Sequence, residues 1–249
     1  MSLRRFRTFQ SFLMFGFGFF LLERFWSGYL TLYINQRYTW LILLAAFGLM
    51  AFGLITFKHR PPIWSQDENL LAPEMAPKNA VWRLLLFIIP LLLGIFVPAT
   101  SLGSSAAETR GVSQAIPLSS GGSIPSVLTL DPANRSILEW LWAFDELKDP
   151  ADFIGQPVDV EGFVFINDKL PDGYFMVGRF IITCCVADAT AIGIAFLPPE
   201  DAEIPNGWVR IEGEMTVTTF DEMPALLINA RQITSVDEPE QPYLYPLGF

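Results

Sequence analysis

Histidine and cysteine are scarce in this chain of 249 residues, which has one histidine, His59, and two adjacent cysteines, Cys184 and Cys185. A structural zinc site takes four Cys or His ligands, so a self-contained zinc site is not expected. No histidine follows His59, which excludes a Ser-His-Asp triad from the remainder of the chain. A Gly-rich phosphate loop after a predicted strand is also lacking. We therefore expect a protein that is not an enzyme.

Basic residues are scarce in the second part of the chain. From Ala99 to Phe249 there are seven Lys and Arg residues against 22 Asp and Glu residues, a formal net charge of −15. A field of that sign repels phosphate backbones, whereas binding of single strands needs a basic groove with stacking aromatic side chains. The sequence therefore argues against a nucleic-acid partner. Keeping an exposed domain soluble is by itself a sufficient reason for such a charge.

Long apolar runs are concentrated in the first hundred residues, at Phe9–Leu22, Trp40–Phe57 and Leu84–Val97. With their flanks they predict three transmembrane helices, at about 8–25, 38–57 and 82–98. The first run covers only about 21 Å at about 1.5 Å per residue, so a signal peptide is the alternative there. Since no small-residue cleavage pattern follows the run, we favour a retained helix, with Glu23 and Arg24 at the level of the headgroups.

The distribution of Lys and Arg predicts the orientation of these helices. Seven basic residues lie before the first helix or between the second and third: Arg4, Arg5, Arg7, Lys58, Arg60, Lys78 and Arg83. Only Arg37 lies between the first and second helices. By the positive-inside rule, the N-terminus and the 58–83 loop are cytoplasmic. We therefore predict a multi-pass protein of the bacterial plasma membrane whose C-terminal domain is extracytoplasmic.

After the third helix the composition changes to a Ser-, Ala- and Gly-rich stretch at 99–126, which predicts a flexible tether. Ser136 and Glu139 form a capping-box pattern ahead of a short helix at 137–148. The predicted domains are therefore a transmembrane domain at 1–98, a flexible linker at 99–135 and an extracytoplasmic β-domain at 136–249.

Five runs of alternating or β-branched residues follow the short helix, at 157–166, 173–184, 191–197, 207–218 and 225–236. Two of them share the pattern V-x-[VI]-E-G, which ends at Gly162 and Gly213. A glycine within a strand permits the sharp bend that a small closed barrel needs. Five strands in about 80 residues predict an OB-like barrel with one helix packed on it, and a small β-sandwich is the alternative.

Both cysteines lie in the stretch RFIITCCVADA, at 179–189. Because neighbouring side chains of a strand point to opposite faces, the two thiols would need a bulge to approach one ion. In one interpretation Cys184 is a small buried hydrophobe and Cys185 ends the strand. In the other, a bulge brings both thiols to Asp188 and Arg179 lowers a thiol pKa, which gives a soft-metal or redox site.

Several stretches together resemble the bacterial YcgQ-type permease-subunit family. They are SGYLTLYINQRYTWL (27–41), GQPVDVEGFV (155–164), RFIITCCVADATAIGI (179–194), GWVRIEGEM (207–215) and PEQPYLYP (239–246). The Cys-Cys-x-Ala-Asp segment is the most specific of them, and the turn from Tyr33 to Asn35 supports it. The resemblance implies an integral membrane protein that acts beside a larger polytopic permease subunit. Some members carry a His- and acid-rich loop, whereas the 58–81 loop here has only His59 with three acidic residues.

Two hypotheses for function follow. In the first, the chain is an accessory subunit of a two-component membrane permease complex and presents its acidic β-domain outside the membrane. In the second, it is a membrane-tethered metal-binding or thiol-redox module, and its candidate groups are Cys184, Cys185, Asp188 and Arg179. No cofactor is expected beyond a soft divalent metal such as zinc in that second case. Glu23, Arg24, Tyr33 and Asn35 are the candidate residues at the membrane interface.

Overall fold

The computed structural model describes residues 3–58, 80–113, 131–147, 149–166, 170–200, 202–220 and 222–245. The chain forms two compact units, which divide between Thr100 and Ser101. Residues 59–79 of the predicted cytoplasmic loop, which include His59, lie outside the described residues, as do residues 114–130 of the predicted linker.

The first unit contains three helices: α1 (Leu3–Trp26), α2 (Thr39–Lys58) and α3 (Ala80–Phe96). Two 3₁₀ turns, Tyr29–Leu32 and Gln36–Tyr38, connect α1 to α2. The helices lie where the apolar runs predict them. Among the described residues, however, only Gln36–Lys58 is long and apolar enough to cross a membrane, with a mean hydropathy of 2.3. In α3 the apolar part is the shorter stretch Leu85–Phe96, and α1 carries charged residues at both ends. Of the three predicted transmembrane helices, only the second therefore meets both the length and the hydropathy of a membrane-spanning helix.

Small residues spaced seven apart bring α1 and α2 together. Ser11 and Gly18 are buried on α1, and Ala46 and Gly53 are buried on α2. Residues seven apart are two turns apart and share a face. A Cβ atom added to Gly18 would lie 2.6 Å from the Ala46 carbonyl oxygen, and one added to Gly53 would lie 2.9 Å from the Ser11 carbonyl oxygen. The two backbones are therefore in close contact, as in membrane helix pairs whose interfaces are lined by small residues.

The other faces of the three helices expose large apolar side chains. Among the described residues of these helices, more than half of the residue surface is exposed at fourteen large apolar positions: Phe12, Phe19, Trp26, Trp40, Leu44, Phe47, Phe52, Leu54, Ile55, Trp82, Leu86, Leu93, Ile95 and Phe96. An apolar surface of this extent is typical of a protein that contacts lipid or another protein.

The second unit is built from strands and short helices. In chain order these are α4 (Ser104–Arg110), β1 (Val112–Ser113), α5 (Ile137–Glu146), β2 (Pro157–Phe165), β3 (Phe175–Ile181), β4 (Thr190–Leu197), β5 (Trp208–Phe220), β6 (Met223–Ser235) and β7 (Tyr243–Leu244). The capping box of α5 forms as predicted between Ser136 and Glu139.

Residues 104–113 differ from the predicted flexible tether. They form α4 and β1, because Ala107 is fully buried in a cluster with barrel residues and Val112 pairs in parallel with Ala191 of β4. The predicted linker boundaries at 99 and 135 otherwise remain a prediction.

The five long strands close into a barrel. β2 pairs with β3 and β5, β3 pairs with β4, β4 pairs in parallel with β6, and β6 pairs with β5. This confirms the barrel over the sandwich. The repeated V-x-[VI]-E-G segments lie side by side, with Val158 opposite Gly213 and Gly162 opposite Val209. The register between β5 and β6 shifts at Glu212 and Gly213, where Arg231 of β6 is the extra residue of a bulge beside the strand glycine.

Candidate functional site

The two cysteines lie in a turn between β3 and β4, residues 182–189, which we call the dithiol turn. β3 ends at Ile181, and a 3₁₀ segment covers Val186–Asp188. Cys184 is exposed, Cys185 is half-buried, and both are free thiols whose Sγ atoms are 3.6 Å apart. The interpretation of Cys184 as a buried strand residue is therefore wrong. Strand alternation does not separate the thiols, because the strand ends three residues before Cys184.

Asp188 holds the turn closed. Its carboxylate accepts hydrogen bonds from the backbone N–H of Thr183 at 3.2 Å and of Cys184 at 2.8 Å. The predicted proximity of Asp188 to the thiols is thus present. A hydrogen bond with the Asp188 carboxylate, followed by one with Cys185, raises the pKa of Cys184 to about 11. Cys184 is accordingly a protonated thiol at neutral pH.

Arg110, at the end of α4, holds the same turn from outside the barrel strands. Its guanidinium Nη1 donates to the carbonyl oxygens of Val186 and Ala189, each at 3.2 Å. Sequence reasoning missed Arg110, since it falls in the stretch assigned to the tether. The signal was present in SSAAETRG, in which helix-forming residues are followed by a C-terminal Arg and Gly.

The C-terminal strand β7 anchors the start of the dithiol turn. It pairs in parallel with β3, and the Ile182 N–H donates to the Leu244 carbonyl at 3.1 Å. Tyr243 is buried, and its hydroxyl accepts a hydrogen bond from the Leu102 N–H at 2.9 Å. Segments from both ends of this unit therefore converge on one turn, and the sequence pattern predicted neither contact.

Arg179 contacts the C-terminal segment. Its guanidinium donates to the carbonyl oxygens of Gln241 and of Pro242, the latter at 3.2 Å, and lies 5.4 Å from the centre of the Trp208 ring. Burial lowers the pKa of Arg179. The expectation that Arg179 lowers a thiol pKa is wrong for Cys184, whose pKa is raised. Arg179 instead fixes the segment that leads into β7.

The candidate interface residues of the first unit have mainly structural contacts. Arg24 pairs with Glu23 at 3.4 Å and donates to the Gly94 carbonyl of α3 at 2.6 Å. The residue four positions after Gly94 is Pro98, which has no N–H, so Arg24 supplies the donor that this carbonyl lacks. Asn35 is buried and caps the 3₁₀ turn by accepting the Arg37 N–H at 3.0 Å.

The remaining interface candidate, Tyr33, is exposed. Phenolic side chains at such a position are frequent where an apolar environment meets water.

Metal ligands are few in the described part of the chain. Among those residues, no group of three or more His, Cys, Asp or Glu side chains is gathered so that it could hold an ion. Each oxygen of the Asp188 carboxylate accepts a hydrogen bond from a backbone N–H group of the turn. The dithiol turn therefore offers two sulfur donors.

Comparison with known proteins identifies the family. The DUF1980 N-terminal domain matches residues 9–113 and the DUF1980 C-terminal domain matches residues 134–246, which together cover most of the chain. The chain belongs to the DUF1980 family. Its Arg110 lies in the N-terminal match and contacts the dithiol turn of the C-terminal match.

Two relatives align along nearly their whole length. The UPF0703 protein YcgQ of Bacillus subtilis strain 168 is 22% identical, over 95% of this chain and 99% of that protein. A protein of Streptococcus mutans serotype c is 20% identical, over 88% of this chain and 92% of that protein, and carries the provisional name of a two-component membrane permease complex subunit. These matches confirm the YcgQ-type resemblance. No solved structure matches the chain.

Proposed function

We propose that this DUF1980 protein is an accessory subunit of a two-component membrane permease complex. The observation that carries the proposal is the near end-to-end alignment with the Streptococcus mutans protein named as such a subunit. Three helices are few for a transport pathway. The proposal therefore includes a larger polytopic subunit as the partner, with the present chain docked beside it in the bilayer.

Three features of the helical unit support its insertion in a bilayer. Helix α2 with its preceding turn meets the length and hydropathy of a spanning helix. It packs on α1 through small residues, where the Ser11 and Thr56 hydroxyls are also 2.9 Å apart. The Arg24 guanidinium, which is costly to place near lipid, is satisfied by the Gly94 carbonyl and lies 5.2 Å from the centre of the Phe20 ring.

The barrel belongs outside the membrane in this proposal. The excess of Lys and Arg before α1 and between α2 and α3 favours a cytoplasmic location for those segments. With α1, α2 and α3 all spanning, the acidic barrel is then extracytoplasmic, where it takes part in capture or presentation of the cargo. Reporters fused after Phe249 test the orientation: alkaline phosphatase is expected to be active there, and a fluorescent cytosolic reporter is not. The reverse pattern contradicts this placement.

The subunit role is tested by site-specific photo-crosslinking in membranes. A photoreactive residue is placed singly at exposed apolar positions of the helices, Phe47 and Phe96, and at the exposed Met223 of the barrel as a control. We expect crosslinks from the helix positions to one multi-helix membrane protein, which also co-purifies with the tagged chain in constant ratio. Crosslinks to lipid alone at both helix positions, without a co-purifying membrane protein, would refute the proposal.

The second candidate function, a membrane-tethered thiol or metal module, is favoured by one specific observation. Two free thiols, one of them exposed, lie 3.6 Å apart on a turn that is anchored by several elements. Free cysteine is usually among the most buried residue types. This candidate is compatible with the subunit role, since a subunit that presents cargo needs a group to bind it.

A further inference from the structure

The separation of the two sulfur atoms matches one kind of coordination geometry. In a tetrahedral site with Zn–S bonds of about 2.3 Å, two sulfur ligands lie about 3.8 Å apart. The Sγ atoms of Cys184 and Cys185 are 3.6 Å apart with no ion present. A linear two-coordinate ion with bonds of that length needs sulfurs about 4.6 Å apart, so the pair suits a tetrahedral ion better than a linear one.

The turn that carries the thiols is fixed on three sides. The Asp188 carboxylate binds two of its N–H groups, Arg110 binds two of its carbonyls, and Leu244 of β7 accepts the N–H of Ile182. A ligand pair held in this way loses little conformational freedom on binding an ion. Arg110 and Leu244 bind main-chain groups only, whereas Asp188 also hydrogen-bonds with the Cys184 thiol, a contact that ends when the thiol releases its proton.

We propose that Cys184 and Cys185 form a two-thiolate docking site for a thiophilic cation that prefers tetrahedral coordination, with Zn²⁺ as the representative. Each thiol releases its proton to solvent when the ion binds, and no electrons are transferred. Asp188 is a positioning residue here and not a ligand, because its oxygens hold the turn. The two remaining coordination positions are open to water or to ligands of a donor or acceptor. The site is thus suited to transient binding, in contrast to closed structural sites with four protein ligands. It does not depend on the permease role.

A disulfide between the two cysteines is the less favourable use of the pair. Adjacent Cα atoms are about 3.8 Å apart across a trans peptide, below the usual range of about 4.4–6.8 Å for a bridge. Such a bond is strained and easily reduced. Metal binding needs no comparable movement of the backbone.

Cobalt(II) substitution tests the proposal on the full chain in detergent under reducing conditions. Thiolate ligands give Co²⁺ an intense charge-transfer absorption in the near ultraviolet, and its intensity per bound ion counts the thiolates. We expect one Co²⁺ per chain with two thiolates, displaced by Zn²⁺. Cys184→Ser and Cys185→Ser are each expected to halve the absorption, and the double variant to abolish it. Asp145→Asn, on the exposed side of α5, is the matched control and is expected to retain it.

Alkylation provides a second readout that does not rely on the variants. Zn²⁺ is expected to protect both cysteines of the unmodified chain from iodoacetamide, as followed by peptide mass spectrometry. The proposal is overturned if no charge-transfer absorption appears, if it persists in the double variant, or if Zn²⁺ leaves alkylation unchanged. Four thiolates per ion, shared by two chains, would overturn the open site.

Discussion

Asp188→Asn is expected to make Cys184 more reactive, because the carboxylate of Asp188 is the main cause of its high pKa. The substitution removes the negative charge and keeps the size of the side chain. The pKa of Cys184 is about 11, against an ordinary value of 9.0. Near pH 8, a fall between these values raises the thiolate fraction about 100-fold. Intrinsic nucleophilicity falls with the pKa, by about eightfold over the same range.

The net expectation is an alkylation rate up to about tenfold higher for the Asp188→Asn variant. The rate of iodoacetamide modification at Cys184 is measured against pH by peptide mass spectrometry. In the unmodified chain the rate should rise with pH until about 11, and in the variant it should level off at lower pH. Asp145→Asn is the control and should leave the profile unchanged. Equal or slower modification of the Asp188→Asn variant across the pH range would show that the carboxylate does not set the reactivity.

Three further predictions concern the anchors and the packing. Arg110→Gln should speed hydrogen exchange in the dithiol turn, because two carbonyls lose their donor. The control Arg231→Gln, which removes an exposed ion pair, should leave that exchange unchanged. Equal exchange rates in both variants would contradict the anchoring role of Arg110. Gly18→Leu should destabilise the α1–α2 pair by about 1–3 kcal/mol, as measured by unfolding in detergent. The control Gly16→Leu should be tolerated, because a Cβ atom added at Gly16 has no neighbour within 4 Å. Equal stability of the two variants would refute the close approach of the helices. Ser136→Ala should lower the free energy of unfolding of the barrel unit by about 1 kcal/mol through loss of the α5 cap, and an unchanged denaturation midpoint argues against it.

The barrel strands are largely predictable from the sequence. Burial alternates with a period of two along much of β2 and β5, whereas β3, β4 and β6 contain continuous buried apolar runs between turn residues. All five lie within three residues of their predicted bounds. Helix α5 is predictable for a similar reason, since its capping box and apolar stripe are local signals. Closure of the barrel is harder to predict from the sequence, because the parallel pairing of β4 with β6 joins residues that are far apart along the chain.

The dithiol turn shows where such reasoning ends. The stretch from Ile182 to Cys185 continues the composition of β3, but the strand ends at Ile181 because β7 and the Asp188 carboxylate take over its N–H groups. Asp188 lies within the same motif, but nothing in the local pattern marks the distant partners Arg110 and Leu244. The candidate residues were identified from their adjacency, while their separation and exposure could only come from the structure.

The convergence of both ends of the barrel unit on the dithiol turn has a practical consequence for the design of fragments of the protein. A fragment cut at residue 136 keeps every barrel strand but lacks Arg110, which binds that turn directly, and Leu102, which binds β7. It also lacks β1, which pairs with β4. A soluble piece intended for thiol chemistry should therefore begin near Ser101. An affinity tag joined at Phe249 follows β7 by only a few residues, so a tag at the opposite end is the safer choice.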